Sequence, residues 1–283
     1  MPTKLGQNFL RDNAVLDRII QSANLSVDDF VLEVGPGEGV LTKELARLAG
    51  KVIAIETDEE LAKKTATNFK FEILNLKSSL NCKILNFKNK ATIVTADILE
   101  INLPELLEQN NFTNYKVIAN IPYYITSPII RLFLETKYPP TEMILMVQKE
   151  VAERICAKAR KMSILALSVQ YYADAELLFT VPKTAFSPVP EVDSAVIRIT
   201  RNKKQKTRLL RQLADPAGEA KKFFRIVKAG FSAKRKTLVN NLSTSLKSEK
   251  SVVEEKLKQI GISKNQRAQE LSLEDWKKLV KLI

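Results

Sequence analysis

LEVGPGEG, residues 32–39, holds three of the eight glycines in a chain of 283 residues. Gly35, Gly37 and Gly39 follow the apolar run Phe30–Val34 and precede a helical pattern from Val40 to Ala49, so a strand ends here in a glycine loop that opens a helix. Glycines at such a turn let the backbone approach a ligand closely and adopt positive φ. The dinucleotide fingerprint G-x-G-x-x-G needs glycine at position 40, where this chain has Val40, which makes a dehydrogenase a poor match.

Outward from this loop, short apolar runs alternate with amphipathic ones. Val52–Ile55, Thr92–Thr95, Lys116–Ala119 and Met143–Val147 read as strands, with helices over Asp58–Asn68 and from about Ser127. That alternation is the pattern of a parallel sheet covered on both faces, an α/β fold. Two late strands, Glu176–Val181 and Ser194–Thr200, are joined by the proline-rich loop FSPVPEVD. Between Asn68 and Ala91 the chain is rich in Lys, Asn and Ser and reads as an irregular surface excursion. After Arg201, NKKQKTR and ADPAG form a basic, breaker-containing link. Apolar residues then recur at helical spacing: Phe223, Phe224 and Val227, Leu238 and Leu242, Val253, Leu257 and Ile260. Ser272 with Asp275 three residues on marks the cap of a last helix carrying Trp276, Leu279 and Val280. The expected organisation is an α/β domain over residues 1–200 and a small all-helical domain over 201–283, without internal repeats.

Composition narrows the chemistry. The chain has no histidine, which removes serine–histidine hydrolases, HExxH metalloproteases and nearly every zinc site. Cys82 and Cys156 make neither a disulfide framework nor a metal cluster, so no metal is expected. No stretch has the length of a membrane span and MPTKLGQNFL lacks the apolar run of a signal peptide, so a cytoplasmic protein is expected. The net charge of +13 is concentrated: Arg201–Lys250 carries 15 Lys and Arg against 3 Asp and Glu. A nearly neutral body with one strongly basic segment points to a polyanionic partner, although a solvated charged surface has the same composition.

The strand ends carry the rest. G-x-G-x-G after an acidic strand end resembles the first motif of S-adenosylmethionine-dependent methyltransferases. Glu56, at the tip of the second strand, is placed for ribose hydroxyls, and Asp97, ending the next in TADIL, for the cofactor's adenine amino group. Taken alone, an acid at a strand end is usually a solvated cap. VIANIPYYITSPI, residues 117–129, ends the fourth strand at Asn120. An exocyclic adenine nitrogen is a poor nucleophile because its lone pair is delocalised into the ring. An amide oxygen from Asn120 and a backbone carbonyl near Ile121 can accept its two hydrogens and draw it toward tetrahedral geometry. Pro122 fixes the turn, and Tyr123 offers a face for stacking an extruded base. Methyl transfer needs alignment and charge management more than an ionised base, so a protein without histidine can do it. The plainer alternative is a proline turn with two tyrosines packing the core.

GQNFL, EVGPGEGVLT, AIETD, TADIL, NIPYYITSP, QKEVAERI, LSVQYYA, FSPVPEVDSAV and KRKTLVNNL, in order from Gly6 to Asn241, resemble the ribosomal RNA adenine dimethyltransferases, with LSLEDW a weaker echo. The resemblance implies a Rossmann-like, seven-stranded S-adenosylmethionine-dependent methyltransferase sheet plus a small helical carboxyl-terminal domain. It implies S-adenosyl-L-methionine as cofactor, held by Asn8, Leu10, Gly35, Gly37, Glu56, Asp97 and Asn120. It implies base handling by Asn120, Ile121, Pro122 and Tyr123, with Phe186 for the opposite face of the adenine; without it Phe186 would be a core aromatic. Lys149 and Arg154 in QKEVAERI and Lys234, Arg235 and Lys236 in KRKTLVNNL are the expected RNA contacts. The chain departs from the family in three places, one of them the stretch from about Thr67 to Lys90, which is longer than usual. Arg160, Lys161, Met162 and Ser163 replace a usual Pro-Gly turn and tyrosine, and Glu191 stands where a lysine is usual.

One branch of that family dimethylates two adjacent adenines near the 3′ end of small-subunit (16S) ribosomal RNA during ribosome maturation. KRKTLVNNL and FSPVPEVDSAV favour this branch, and the implied partner is small-subunit RNA in a pre-ribosomal particle, met by a monomer. The alternatives are a large-subunit (23S) adenine methyltransferase conferring antibiotic resistance, a DNA adenine methyltransferase, and a non-catalytic ribosome-assembly protein of the same fold.

Overall fold

The computed structural model describes residues 8–69, 72–75, 90–112, 114–201 and 218–283. The chain divides into two compact units: one runs up to Ala152 and includes Glu176–Thr200, the other combines Glu153–Ala175 with Arg201–Ile283. A division thus falls at 200/201, and Glu153–Ala175, which the sequence reading puts in the first domain, groups with the second unit. Met162, Ala166, Leu167 and Tyr171 enter the same buried cluster as Phe223, Leu238 and Trp276. Amphipathic spacing reveals a buried face but not which core receives it.

The strands in chain order are β1 (Phe9–Leu10), β2 (Phe30–Val34), β3 (Lys51–Glu56), β4 (Glu72–Asn75), β5 (Ala91–Thr95), β6 (Lys116–Asn120), β7 (Glu142–Gln148), β8 (Ala173–Val181), β9 (Phe186–Ser187) and β10 (Ser194–Arg201). One sheet has the order β4-β5-β3-β2-β6-β7-β10-β8. The pairs from β4 through to β7 are parallel, and β10 runs antiparallel to β7, with Ser194 opposite Gln148 and Thr200 opposite Glu142. Seven of these strands are the expected ones. β4 is an eighth, on the edge beside β5, where the sequence reads as irregular: a four-residue strand whose two apolar residues, Ile73 and Leu74, are adjacent is too short to show a period. The remainder of that stretch, and the basic link after Arg201, lie outside the described residues.

Helices α1 (Asn13–Ala23), α2 (Val40–Leu48), α3 (Glu59–Phe69), α4 (Leu103–Gln109), α5 (Thr126–Glu135) and α6 (Lys149–Ile155) follow or cover these strands. Val31, Leu32, Val52, Ile53, Ala54, Val117 and Ile118 are fully buried, which is why the central strands read as unbroken apolar runs rather than alternating ones. The chain crosses from one side of the sheet to the other around β2, whose neighbours are β3 and β6. Ligands of open α/β sheets bind beyond the strand carboxyl ends at such a reversal.

The second unit holds α7 (Ile164–Gln170), α8 (Glu219–Gly230), α9 (Leu238–Leu246), α10 (Lys250–Gln259) and α11 (Leu273–Leu282). The capping box read from Ser272 and Asp275 is present: Ser272 Oγ accepts from the Asp275 N–H at 3.1 Å, and Asp275 Oδ2 from the Ser272 N–H at 3.0 Å. It points Trp276 into the core, fully buried with Phe223, Leu242 and Leu279. Among the described residues, no helix is long and apolar enough to cross a membrane.

Candidate functional site

The glycine loop is held from three sides. The Gly35 N–H donates to the Ile55 carbonyl at 2.9 Å, continuing the β2–β3 pairing beyond the strand. The Gly37 N–H donates to Glu56 Oε2 at 3.1 Å, and the Gly37 carbonyl accepts from Thr65 Oγ1 at 2.7 Å. Gly37 has φ +57, and a side chain there would press on the Phe9 ring; at Gly39, with φ +80, a Cβ would collide with the Thr65 methyl group. The alternating glycines therefore serve close packing by Phe9 and α3 as well as loop shape, which leaves the third glycine of a dinucleotide fingerprint unnecessary.

Two buried acids stand behind this loop. Glu56 ends β3 and is 3 % exposed; besides Gly37 it accepts from the Asp58 N–H at 3.0 Å. Burial raises its pKa, the backbone N–H groups of Asp58, Gly37 and Thr57 pull it down, and the Asp58 charge pushes it up. Glu33, inside β2, is 1 % exposed, and its Oε2 has no hydrogen-bond partner. Burial lifts its pKa from 4.5 to about 8; the nearby Thr42 hydroxyl, without a hydrogen bond of normal geometry, pulls it down, and the Glu56 charge adds to the rise. An unpaired buried carboxyl is costly unless a ligand meets it.

Asn120 closes β6, and its carboxamide makes no hydrogen bond with any described residue. The Ile121 N–H is held by the Met146 carbonyl at 3.2 Å, and Pro122, with φ −54 and ψ 131, turns the chain into a 3-10 turn over Tyr123–Ile125. The Tyr123 hydroxyl lies 2.8 Å from Ser194 Oγ, and Tyr124 is 67 % exposed.

These pieces meet in one cavity of about 310 Å³. Asn8, Leu10, Gly35, Gly37, Glu56, Asn120, Ile121, Pro122 and Tyr123, all expected site residues, line it, as do Glu33, Glu38, Ile98 and Tyr124, which the sequence reading leaves unassigned. GQNFL, which without the resemblance reads as a frayed end, is placed by pairing. Phe9 faces Ser187 and Leu10 faces Phe186 across β1 and β9, and the Arg11 and Asp12 N–H groups donate to the Ala185 carbonyl. Phe186 is not among the cavity-lining residues; its side chain is buried in a core cluster with Leu16, Ile19 and Val181. Asp97 also stays off the lining, which its neighbour Ile98 joins, while Asp97 Oδ1 accepts from the Leu99 N–H at 2.9 Å. Lys149, Arg154, Lys234, Arg235 and Lys236 are all exposed and none lines the cavity. No cluster of three metal-ligating side chains occurs among the described residues.

A glycine loop after the first strand of a seven-stranded sheet whose last strand is antiparallel, here β2, β3, β5, β6, β7, β8 and β10 with β4 added at the edge, marks the Rossmann-like S-adenosylmethionine-dependent methyltransferases. The match to the family described as "Ribosomal RNA adenine dimethylase" spans residues 1–283, and the chain belongs to that family. It is 42% identical over 275 residues to the "Ribosomal RNA small subunit methyltransferase A" of Dehalococcoides mccartyi, covering 97% of this chain and 86% of the relative. To the protein of that name from Fusobacterium nucleatum it is 40% identical over 283 residues, covering 99% and 96%. Among solved structures it is similar to the 23S rRNA methyltransferase ErmE, with a TM-score of 0.71, 26% identity and coverage of 97% and 99%. The fold also matches a dimethyladenosine transferase from Plasmodium falciparum, with a TM-score of 0.73, 24% identity and coverage of 96% and 95%.

S-adenosylmethionine is the methyl donor of this family, and the cavity fits it. The backbone of the glycine loop, the Glu56 carboxylate and the unpartnered Glu33 Oε2 present acceptors and close backbone approach to a ligand carrying ribose hydroxyls and positive charge.

Proposed function

We propose that this protein transfers methyl groups from S-adenosylmethionine to the exocyclic amino groups of two adjacent adenosines near the 3′ end of small-subunit ribosomal RNA, during maturation of the small subunit. The observation that carries this reading is the opening of the NIPY turn onto the same cavity as the glycine loop, in a chain of this family. The cofactor supplies a methyl group on a sulfonium. Glu56 accepts from its ribose, Asn8 and Leu10 wall it, Asp97 serves its adenine amino group, and Glu33 meets its positive charge.

Asn120 and the Ile121 carbonyl accept the hydrogens of the target amino group, so that its lone pair leaves the ring and points toward the methyl. Tyr123 stacks on the flipped base. No side chain needs to ionise for this alignment. Phe186 acts at one remove: its strand holds Leu10 in place. The site reads little of the base beyond its amino group. Target choice therefore falls to RNA shape, met by Lys149, Arg154, Lys234, Arg235 and Lys236 on a monomer in the cytoplasm.

Purified protein incubated with small-subunit particles lacking the modification, followed by nuclease digestion and mass spectrometry, is expected to give dimethyladenosine at two neighbouring positions, with little transfer to naked RNA or duplex DNA. Methylation confined to large-subunit RNA supports instead the activity named for ErmE. No methylation of any RNA supports a non-catalytic assembly protein.

A further inference from the structure

In the second unit a buried amide sits under an exposed cationic turn. Asn241, in the second turn of α9, is 2 % exposed. Its Nδ2 donates to the Gly230 carbonyl at 2.6 Å and to the Ala233 carbonyl at 3.0 Å. Gly230 ends α8, so one bond satisfies a carbonyl the helix end leaves orphaned. Ala233 is the first residue of a turn closed by the Lys236 N–H donating to that same carbonyl at 3.2 Å. Lys234 and Arg235 are the central residues of this turn, and Lys236 follows; all three are exposed, and none pairs with an acid among the described residues. On the far side, Thr237 caps α9 by accepting from the Asn240 N–H, and Asn240 Nδ2 donates to Thr237 Oγ1 at 2.9 Å. The turn is thus pinned at its first residue by Asn241 and at its exit by a cap.

The chemistry of the clamp is specific. Two carbonyl oxygens require two N–H donors on one short side chain. A carboxylate offers none, and Asn241 Oδ1, buried without a partner, shows that the donors alone are used.

Resting on the reading that Lys234, Arg235 and Lys236 contact RNA phosphates, we infer that Asn241 is the positioning residue for that contact. It holds the turn in its bound shape before RNA arrives, so that the backbone entropy of ordering it is already spent in the free protein.

The test is a cycle on the full-length protein, with binding to unmodified small-subunit particles measured across a salt series. Lys234, Arg235 and Lys236 together changed to Gln should weaken binding and flatten its salt slope by roughly 0.7–0.9 for each phosphate no longer neutralised. Asn241→Ala in the wild-type background should weaken binding several-fold and flatten the slope in the same sense. In the triple-Gln background the same substitution should cost nothing further. An Asn241→Ala loss of equal size in both backgrounds, or an unchanged slope in a protein that binds cofactor normally, overturns the clamp. A triple-Gln variant with wild-type affinity and slope overturns the phosphate reading itself. Should Asn241→Ala not fold, Asn241→Ser, which keeps one donor, is read on the same cycle with the same outcomes.

Discussion

The hydroxyl of Tyr123 lies 2.8 Å from the hydroxyl of Ser194, a fully buried residue that opens the antiparallel strand β10. The bond links the aromatic ring of the NIPY turn to the end of FSPVPEVDSAV, two stretches that are 71 residues apart in sequence. It fixes the ring through its polar tip and leaves the face free to stack.

Tyr123→Ala is therefore expected to leave cofactor affinity near normal while cutting turnover, since stacking on an aromatic is worth about 1–3 kcal/mol per base. Tyr123→Phe and Ser194→Ala should each give a smaller fall in kcat, and together no more than either alone, because both remove the same bond. Single-turnover methylation on saturating particles measures this; additive losses in the double variant would show that the bond does not act as a unit.

Glu56→Ala should sharply weaken S-adenosylmethionine binding, by about 1.5–3 kcal/mol for a charge-assisted hydrogen bond. The carboxylate also accepts from the Gly37 and Asp58 N–H groups, so its removal loosens the glycine loop along with the proposed ribose hydrogen bond. Glu56→Gln separates the two effects. An amide retains one acceptor for the loop, and its affinity should fall between wild type and alanine in calorimetric titration. Equal affinities of all three proteins would remove Glu56 from the site.

The strand ends were legible in the sequence because a glycine loop and polar residues fall in order at successive strand ends, the edge at which such sheets bind ligands, although any one of those acids alone could be a solvated cap. Gly35, Gly37, Glu56 and Asn120 all line one cavity. What escaped has physical reasons. A two-residue strand such as Phe9–Leu10 has no period, so only the family motif flags it. Glu33 sits in a strand whose neighbours are all apolar, and pattern reading registers the strand rather than the anomaly of an acid buried inside it. Phe186 looks the same in sequence whether it faces base or core; its burial with Leu16 and Ile19 is a fact of tertiary packing.

Glu33 makes stability depend on pH. Its pKa is about 8 in the folded protein against 4.5 ordinarily, so between these values the folded state holds the proton more tightly than the unfolded chain. The stabilisation is complete below pH 4.5, is lost as pH rises, and is gone above about 8. Relative to wild type, Glu33→Gln should gain thermal stability progressively from pH 5 to 8 and no further beyond, a difference of a few kcal/mol at most. A pH-independent difference in melting temperature would mean that Glu33 is ionised in the fold. Because a cationic ligand favours the charged carboxylate, cofactor binding near pH 7 should also release a proton, visible as a buffer-dependent heat that Glu33→Gln lacks.

Arg160 carries a cost that one substitution can relieve. It lies in the loop after α6 with φ +78, in the left-handed region. The turn is nonetheless made: the Lys161 N–H donates to the Lys158 carbonyl at 3.1 Å, and the Met162 N–H to the Gln269 carbonyl at 3.0 Å, which seats Met162 in the core of the second unit. A non-glycine residue in that region costs about 1–2 kcal/mol, whereas glycine adopts it freely at the expense of more unfolded-state entropy, about 0.5–1 kcal/mol. The arginine side chain is exposed, so little packing is lost with it. Arg160→Gly should therefore raise stability by up to about 1 kcal/mol, whereas Arg160→Ala, which keeps a Cβ in the same backbone state, should not. Urea unfolding of the three proteins at one pH decides it. A destabilised glycine variant would show that the Arg160 side chain, and not its backbone, governs this turn.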